Sequence, residues 1–129
     1  MPERDYSFRT LIDKLNVREG SRVLVLGVND ETLLAEIRGR TEDCAVGRKK
    51  ANRDVILLGA EGPGDLRKVE SCRELLAPAG GLWIVYPKRQ KHITEKLAIA
   101  AGLVDNKVVS FLATHTGLRF VIRKTDRPM

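Results

Sequence analysis

The sequence is short of the residues that most often carry catalytic chemistry or covalent bracing. Cysteine occurs twice, at Cys44 and Cys72, without a C-x-x-C spacing, and histidine occurs only at His92 and His115. A disulfide framework in so short a chain needs more cysteines, and a zinc site needs ligands at short, regular intervals. No metal ligand is therefore assigned, and both thiols are expected to be small core residues of a reduced, cytoplasmic protein. Long apolar runs are also missing. The greasiest stretch, Leu75–Pro87, holds two prolines and two glycines and falls short of the roughly 20 residues a membrane helix needs. The opening Met1-Pro2-Glu3-Arg4-Asp5-Tyr6 is polar and lacks the apolar centre of a signal peptide. There are no repeats or low-complexity tracts. No Ser/His/Asp or Cys/His arrangement is legible, so no catalytic residue is assigned.

What remains is an ordinary globular balance, 43% hydrophobic and 31% charged, in 129 residues. That length suits one domain over 1–129. The net charge of +6 is moderate because acids are interspersed along the chain. It favours weak attraction to anions without naming a partner.

The hydrophobic pattern alternates between strand-like and helix-like segments. A leading helix is expected over Phe8–Leu15 with Ser7 as its N-cap. Arg22–Gly27 is a continuous apolar run of the kind found in strands covered on both faces. Asn29-Asp30-Glu31-Thr32 starts a helix that is expected to stop near Gly39. A weak strand over Asp43–Val46, a basic loop and a second buried strand over Asp54–Gly59 follow. Asp65 is placed to cap a helix with Leu66, Val69, Cys72 and Leu76 on one face, ended by Pro78 and Gly80-Gly81. A third strand is expected over Leu82–Tyr86, a helix from about Thr94 to Gly102, and a closing hairpin over Lys107–Leu112 and Leu118–Arg123. Such alternation predicts an α/β fold, a three-layer Rossmann-like sandwich with a mainly parallel sheet and a C-terminal antiparallel hairpin.

Several segments resemble class I methyltransferases. Leu15-Asn16-Val17-Arg18-Glu19-Gly20-Ser21-Arg22-Val23-Leu24-Val25-Leu26-Gly27 is similar to the approach to their first strand. Leu75-Leu76-Ala77-Pro78-Ala79-Gly80-Gly81-Leu82-Trp83-Ile84 resembles their L-x-P-G-G lead into a late strand, with Ala79 as an extra residue. A nearer resemblance is to an uncharacterised bacterial family of short methyltransferase-like domains. It is carried by Tyr86-Pro87-Lys88, by Gly102-Leu103-Val104-Asp105 with Lys107, and by Gly117-Leu118-Arg119-Phe120-Val121. His115 stands where that family usually has an aromatic residue. The resemblance implies a truncated methyltransferase-like sheet.

Four departures bear on the cofactor, S-adenosylmethionine. The family's G-x-G-x-G loop is replaced after Gly27 by Val28-Asn29-Asp30-Glu31, whose side chains would fill the space kept open for the ligand. The acid expected to bind ribose after the second strand is replaced by Gly47-Arg48-Lys49-Lys50. The stretch between Arg48 and Asp54 is too short for the helix and extra strand usually found there. Ala60-Glu61-Gly62-Pro63 is not the Asn/Asp-Pro-Pro-aromatic motif of amino methyltransferases.

The reading that follows is a non-catalytic binding or interaction module with no cofactor. One alternative is a divergent methyltransferase holding S-adenosylmethionine through Gly27, Asn29, Asp30 and Glu61. The other is a binder of an anionic ligand, nucleic acid or acidic protein partner. It would work through Arg48, Lys49 and Lys50, backed by Arg53, and through Lys88, Arg89 and Lys91. On a strand order 2-1-4-5, in the numbering of the parent sheet, the two basic clusters would flank its carboxyl edge about 14 Å apart. Each candidate has a plainer explanation. Asn29, Asp30 and Glu31 suit a helix cap and its dipole, and so disfavour phosphate there. The basic clusters suit a solvated surface. Tyr86, beside the mouth, is a candidate to stack on a planar ligand, or more plainly a rim or core aromatic with its hydroxyl in water; Trp83 is expected in the core and His115 in an exposed loop.

Overall fold

A computed structural model describes residues 12–28, 30–48, 50–59, 68–87, 103–111 and 115–122. After a helical turn at 12–14, the elements are β1 (Val23–Leu26), α1 (Glu31–Arg40), β2 (Cys44–Val46), β3 (Arg53–Gly59), α2 (Val69–Leu75), β4 (Leu76–Pro87), β5 (Leu103–Phe111) and β6 (His115–Ile122). The six described strands form one sheet in the order β2-β1-β3-β4-β6-β5. The β2, β1, β3 and β4 strands are mutually parallel, and β6 runs antiparallel to both β4 and β5. The expected mainly parallel sheet with an antiparallel C-terminal pair is present.

The apolar runs become doubly buried strands because alternate residues serve opposite faces. Val23, Val25, Val55, Leu57, Trp83 and Val85 turn to one face, against Leu33, Leu34 and Ile37 of α1 and Ile12, Leu15 and Val17 of the leading segment. Leu24, Ile56, Leu58, Leu82, Ile84, Tyr86, Leu118 and Phe120 turn to the other, with Val69 and Cys72 of α2. This is the three-layer sandwich. Trp83 is fully buried, and its indole Nε1–H donates to the Leu15 carbonyl at 3.0 Å, tying the leading segment to the middle of the sheet.

Boundaries depart from expectation in several places. Gly39 lies inside α1, whose C-cap is Thr41. The Thr41 hydroxyl donates to the Ser21 carbonyl at 2.6 Å, so a side-chain anchor rather than a glycine ends the helix. Leu76, expected on the helix after β3, opens β4 instead. Opposite β3, the pairing jumps from Arg53↔Leu76 to Val55↔Gly81, so Ala77–Gly80 bulges out of the ladder. Pro78 is exposed in that bulge, where its missing N–H leaves no gap in the pairing. A Cβ on Gly80 would lie 2.7 Å from the Arg53 carbonyl oxygen, which explains glycine at a position that reads as a helix stop. The closing strands are longer than expected, and His115 is the first residue of β6, paired with Pro87 and Phe111, rather than a loop residue. Tyr86 is 1% exposed, a core aromatic rather than a rim one, and its buried hydroxyl oxygen corrects the expectation that it is in water. The parity of β4 turns it into the core. The predicted Phe8–Leu15 helix before residue 12, the Asp65 cap and the Thr94–Gly102 helix lie outside the described residues.

Candidate functional site at the carboxyl edge of the sheet

Four parallel strands bring their carboxyl ends to one edge, where open α/β sheets place their ligands. Here that edge begins with a contact between two turns. Gly27 follows β1 with φ +76°, a conformation L side chains rarely adopt. Gly59 ends β3 beside it, so close that a Cβ on Gly59 would lie 2.2 Å from the Gly27 carbonyl oxygen. The next residue, Val28, is buried, and its Cγ2 comes within 3.4 Å of the same position. The small residues thus let two backbone segments touch, and Val28 beside them packs into the core with Leu33, Leu34 and Ile37 of α1.

Asp30 is the N-cap of α1, its carboxylate accepting the Leu33 amide N–H at 3.0 Å. Glu31 occupies the first helical turn, where its charge complements the helix dipole. Of the residues proposed to contact a cofactor, Gly27 and Asp30 therefore already have structural work, while Asn29 and Glu61 lie outside the described residues. After β2, Gly47 donates its N–H to the Val25 carbonyl at 2.9 Å and adopts φ +77°. Arg48 is then exposed.

Within the first basic cluster Arg48 and Lys50 line one groove beside β2, while Arg53 lies apart from it. Arg53 is 3% exposed at the amino end of β3. It donates to Asp43 at 2.7 Å and, through Nε, to the Ala51 carbonyl at 3.1 Å. Lys50 lies 3.4 Å from the same Asp43 carboxylate, at the amino end of β2. Only Arg48 of the described members is left near the carboxyl edge. Lys49, Lys88, Arg89 and Lys91 lie outside the described residues. The order β2-β1-β3-β4 does set three strand spacings between the strands that precede the two clusters, as expected.

Sequence reasoning missed the ionic clamp at the amino edge. Arg22, just before β1, donates to Asp54 from Nε at 3.0 Å, from Nη2 at 2.8 Å and from its backbone N–H at 2.9 Å. Hydrogen bonding from Arg22 holds the Asp54 carboxyl below its ordinary range. Hydrogen bonding from Arg53 does the same for Asp43. The partners are far apart in sequence, and only the alignment of β1, β2 and β3 brings them together. Because the folded carboxyls bind protons less tightly than the unfolded ones, their stabilisation is complete above the ordinary carboxylate pKa of about 4 and drains away as pH falls through the folded values. Asp54→Asn is accordingly expected to lower the neutral-pH melting temperature and to flatten the acid limb. Thermal melts between neutral and acid pH check this; parallel curves for the two proteins would oppose it.

Burial pushes the Cys44 thiol upward, which keeps it protonated and a poor nucleophile at neutral pH. Cys72 is buried within the second core. Among the described residues no group of three or more His, Cys, Asp or Glu side chains could hold a metal ion, and no helix is long and apolar enough to cross a membrane.

No family model matches the sequence, and no curated protein matches it. Solved structures do match its fold. A SAM-dependent O-methyltransferase from Thermotoga maritima superposes with a TM-score of 0.73 at 13% identity, over 92% of this chain and 66% of that one. The present chain thus spans just under two thirds of the Thermotoga protein. A SAM-dependent methyltransferase from Aquifex aeolicus gives a TM-score of 0.69 at 13% identity over 89% of both chains. A TehB-like SAM-dependent methyltransferase from Corynebacterium glutamicum gives 0.60 at 12% identity, over 90% of this chain and 87% of its own. The chain therefore has a class I methyltransferase-like Rossmann fold. At these identities the likeness concerns the fold alone.

Proposed function

We propose that this chain is a binding or interaction module on a methyltransferase-derived scaffold, one that does not take S-adenosylmethionine in the manner of class I methyltransferases. The observation that carries this reading is the Gly27–Gly59 contact with Val28 buried in the core beside it. A cofactor loop works by letting the backbone approach the ligand; here the backbone approaches a neighbouring strand. Two further features support it. The Asp30 carboxylate is committed to its own helix, and Gly47-Arg48 follows β2 where an acid would receive the ribose.

A ligand-screened melting series tests the reading. S-adenosylmethionine and its demethylated product, each at millimolar concentration, should leave the melting temperature unchanged. A ligand at 100 times its Kd would add about 2.7 kcal/mol. Stabilisation by either compound would favour a divergent methyltransferase instead. Stabilisation by a polyanion that weakens steeply with salt would favour the basic residues as the working surface.

A further inference from the structure

The two outer strands of the sheet are finished differently. β5 carries a register shift between Asp105 and Lys107, and a bulge with flanking charges discourages further pairing. β2 has no bulge and no proline. Its Cys44, Ala45 and Val46 are half-buried, and no described strand pairs with its outer side. The Asp43 carbonyl accepts the Val23 N–H and the Gly47 N–H donates to Val25, so the odd-numbered residues serve β1. The backbone groups of Cys44 and Val46 consequently face outward. A groove of about 520 Å³ follows this edge, lined by Arg38, Glu42, Asp43, Arg48 and Lys50 beside the strand itself.

The edge is self-complementary. Glu42 and Arg48 are exposed and stand three residues to either side of Ala45. Two copies running antiparallel about a two-fold axis at Ala45 set Cys44 opposite Val46 of the second copy. Those are the residues whose backbone groups are turned outward. The same axis sets Glu42 of each edge toward Arg48 of the other, while Lys50 and Arg53 stay with Asp43 of their own copy. Helix α1 repeats the pattern. Glu31, Leu34, Ala35 and Arg38 line a second groove, and Arg38 borders both grooves, which puts this stripe on the β2 side. The two-fold runs α1 antiparallel to its copy, so the two stripes point in opposite directions.

We propose that the chain forms a two-fold dimer in which two β2 strands pair antiparallel about Ala45, joining the two sheets into one. The Cys44 N–H, which donates to its own Glu42 carbonyl at 3.1 Å in the single chain, exchanges that local contact for a ladder bond.

Light scattering coupled to size exclusion should give a mass of about 29 kDa, twice the chain's 14.4 kDa. Glu42→Arg and Arg48→Glu alone should each weaken the dimer roughly tenfold, since each like-charged contact occurs twice across the axis, and the two together should restore it. Ala45→Cys in a Cys44→Ser background should form an intermolecular disulfide on mild oxidation, because the facing Cα atoms of a non-hydrogen-bonded pair lie about 4.5 Å apart. A monomer at every concentration overturns the proposal. So does a dimer that ignores the charge swap and yields no cross-link through Ala45→Cys, since it would use another face.

Discussion

Replacing Gly59 by alanine is expected to destabilise the chain by roughly 3 kcal/mol or more, a large part of the 5–15 kcal/mol typical of small domains. The added Cβ would lie 2.2 Å from the Gly27 carbonyl oxygen and 2.7 Å from its carbon. Both obstacles are backbone, held by the parallel pairing of β1 with β3, so neither can swing aside as a side-chain tip would. Two other glycines calibrate the effect. Gly27→Ala meets the Gly59 carbonyl oxygen at 3.1 Å and must hold φ at +76°; a loss of about 1–2 kcal/mol is expected. Gly20→Ala faces open space at φ +84° and shows the backbone strain alone. Urea titrations should rank the losses Gly59 > Gly27 > Gly20 at similar m-values. An alanine at 59 that cost no more than one at 20 would mean that the two turns do not touch.

The second large effect is expected at Trp83. Trp83→Ala removes a fully buried indole from the layer between the sheet and α1, and losses of about 3–5 kcal/mol follow from comparable truncations. Trp83→Phe separates packing from hydrogen bonding. It keeps an aromatic ring but takes the Nε1–H donor away from the Leu15 carbonyl, at a cost of about 1–3 kcal/mol. Circular dichroism melts read both variants. In the parent chain, where Trp83 is the only tryptophan, a blue-shifted emission should report its burial. A Trp83→Phe protein as stable as the parent would remove the indole–carbonyl link from the account.

Much of the architecture is legible in the sequence because it rests on local pattern. Val23–Leu26, Val55–Leu58 and Leu82–Tyr86 are apolar on both parities, and such short runs between turn residues suit strands covered on two faces. The helix start within Asn29-Asp30-Glu31-Thr32 is equally legible, while its assignment to Asp30 comes from the structure. What escaped depends on register. Arg53 looks like one more cation of a basic loop until β3 places it at the amino edge beside Asp43. Tyr86 and His115 changed surroundings because their strands begin or face differently than a loop-length estimate suggests. Pro78, Gly80 and Gly81 are as consistent with a helix stop as with a bulge, and only the jump in pairing from Leu76 to Gly81 distinguishes them.

The candidate site shows the same division. The substitution of Val28-Asn29-Asp30-Glu31 for a glycine-rich loop is visible in the sequence. The use of Gly27 as the neighbour of Gly59 is not, because the two glycines belong to different strands. That pairing gives the retained glycine a reason to persist without a ligand, and it is the link between the fold of a methyltransferase and the proposed loss of its usual cofactor contacts.

The most direct test of that link is an isothermal titration of the folded chain with S-adenosylmethionine and with its demethylated product. The closed turn at Gly27, Val28 and Gly59 predicts no saturable heat for either compound up to millimolar concentration. A stoichiometric isotherm with a micromolar Kd would contradict it and mark the carboxyl edge as a working cofactor site.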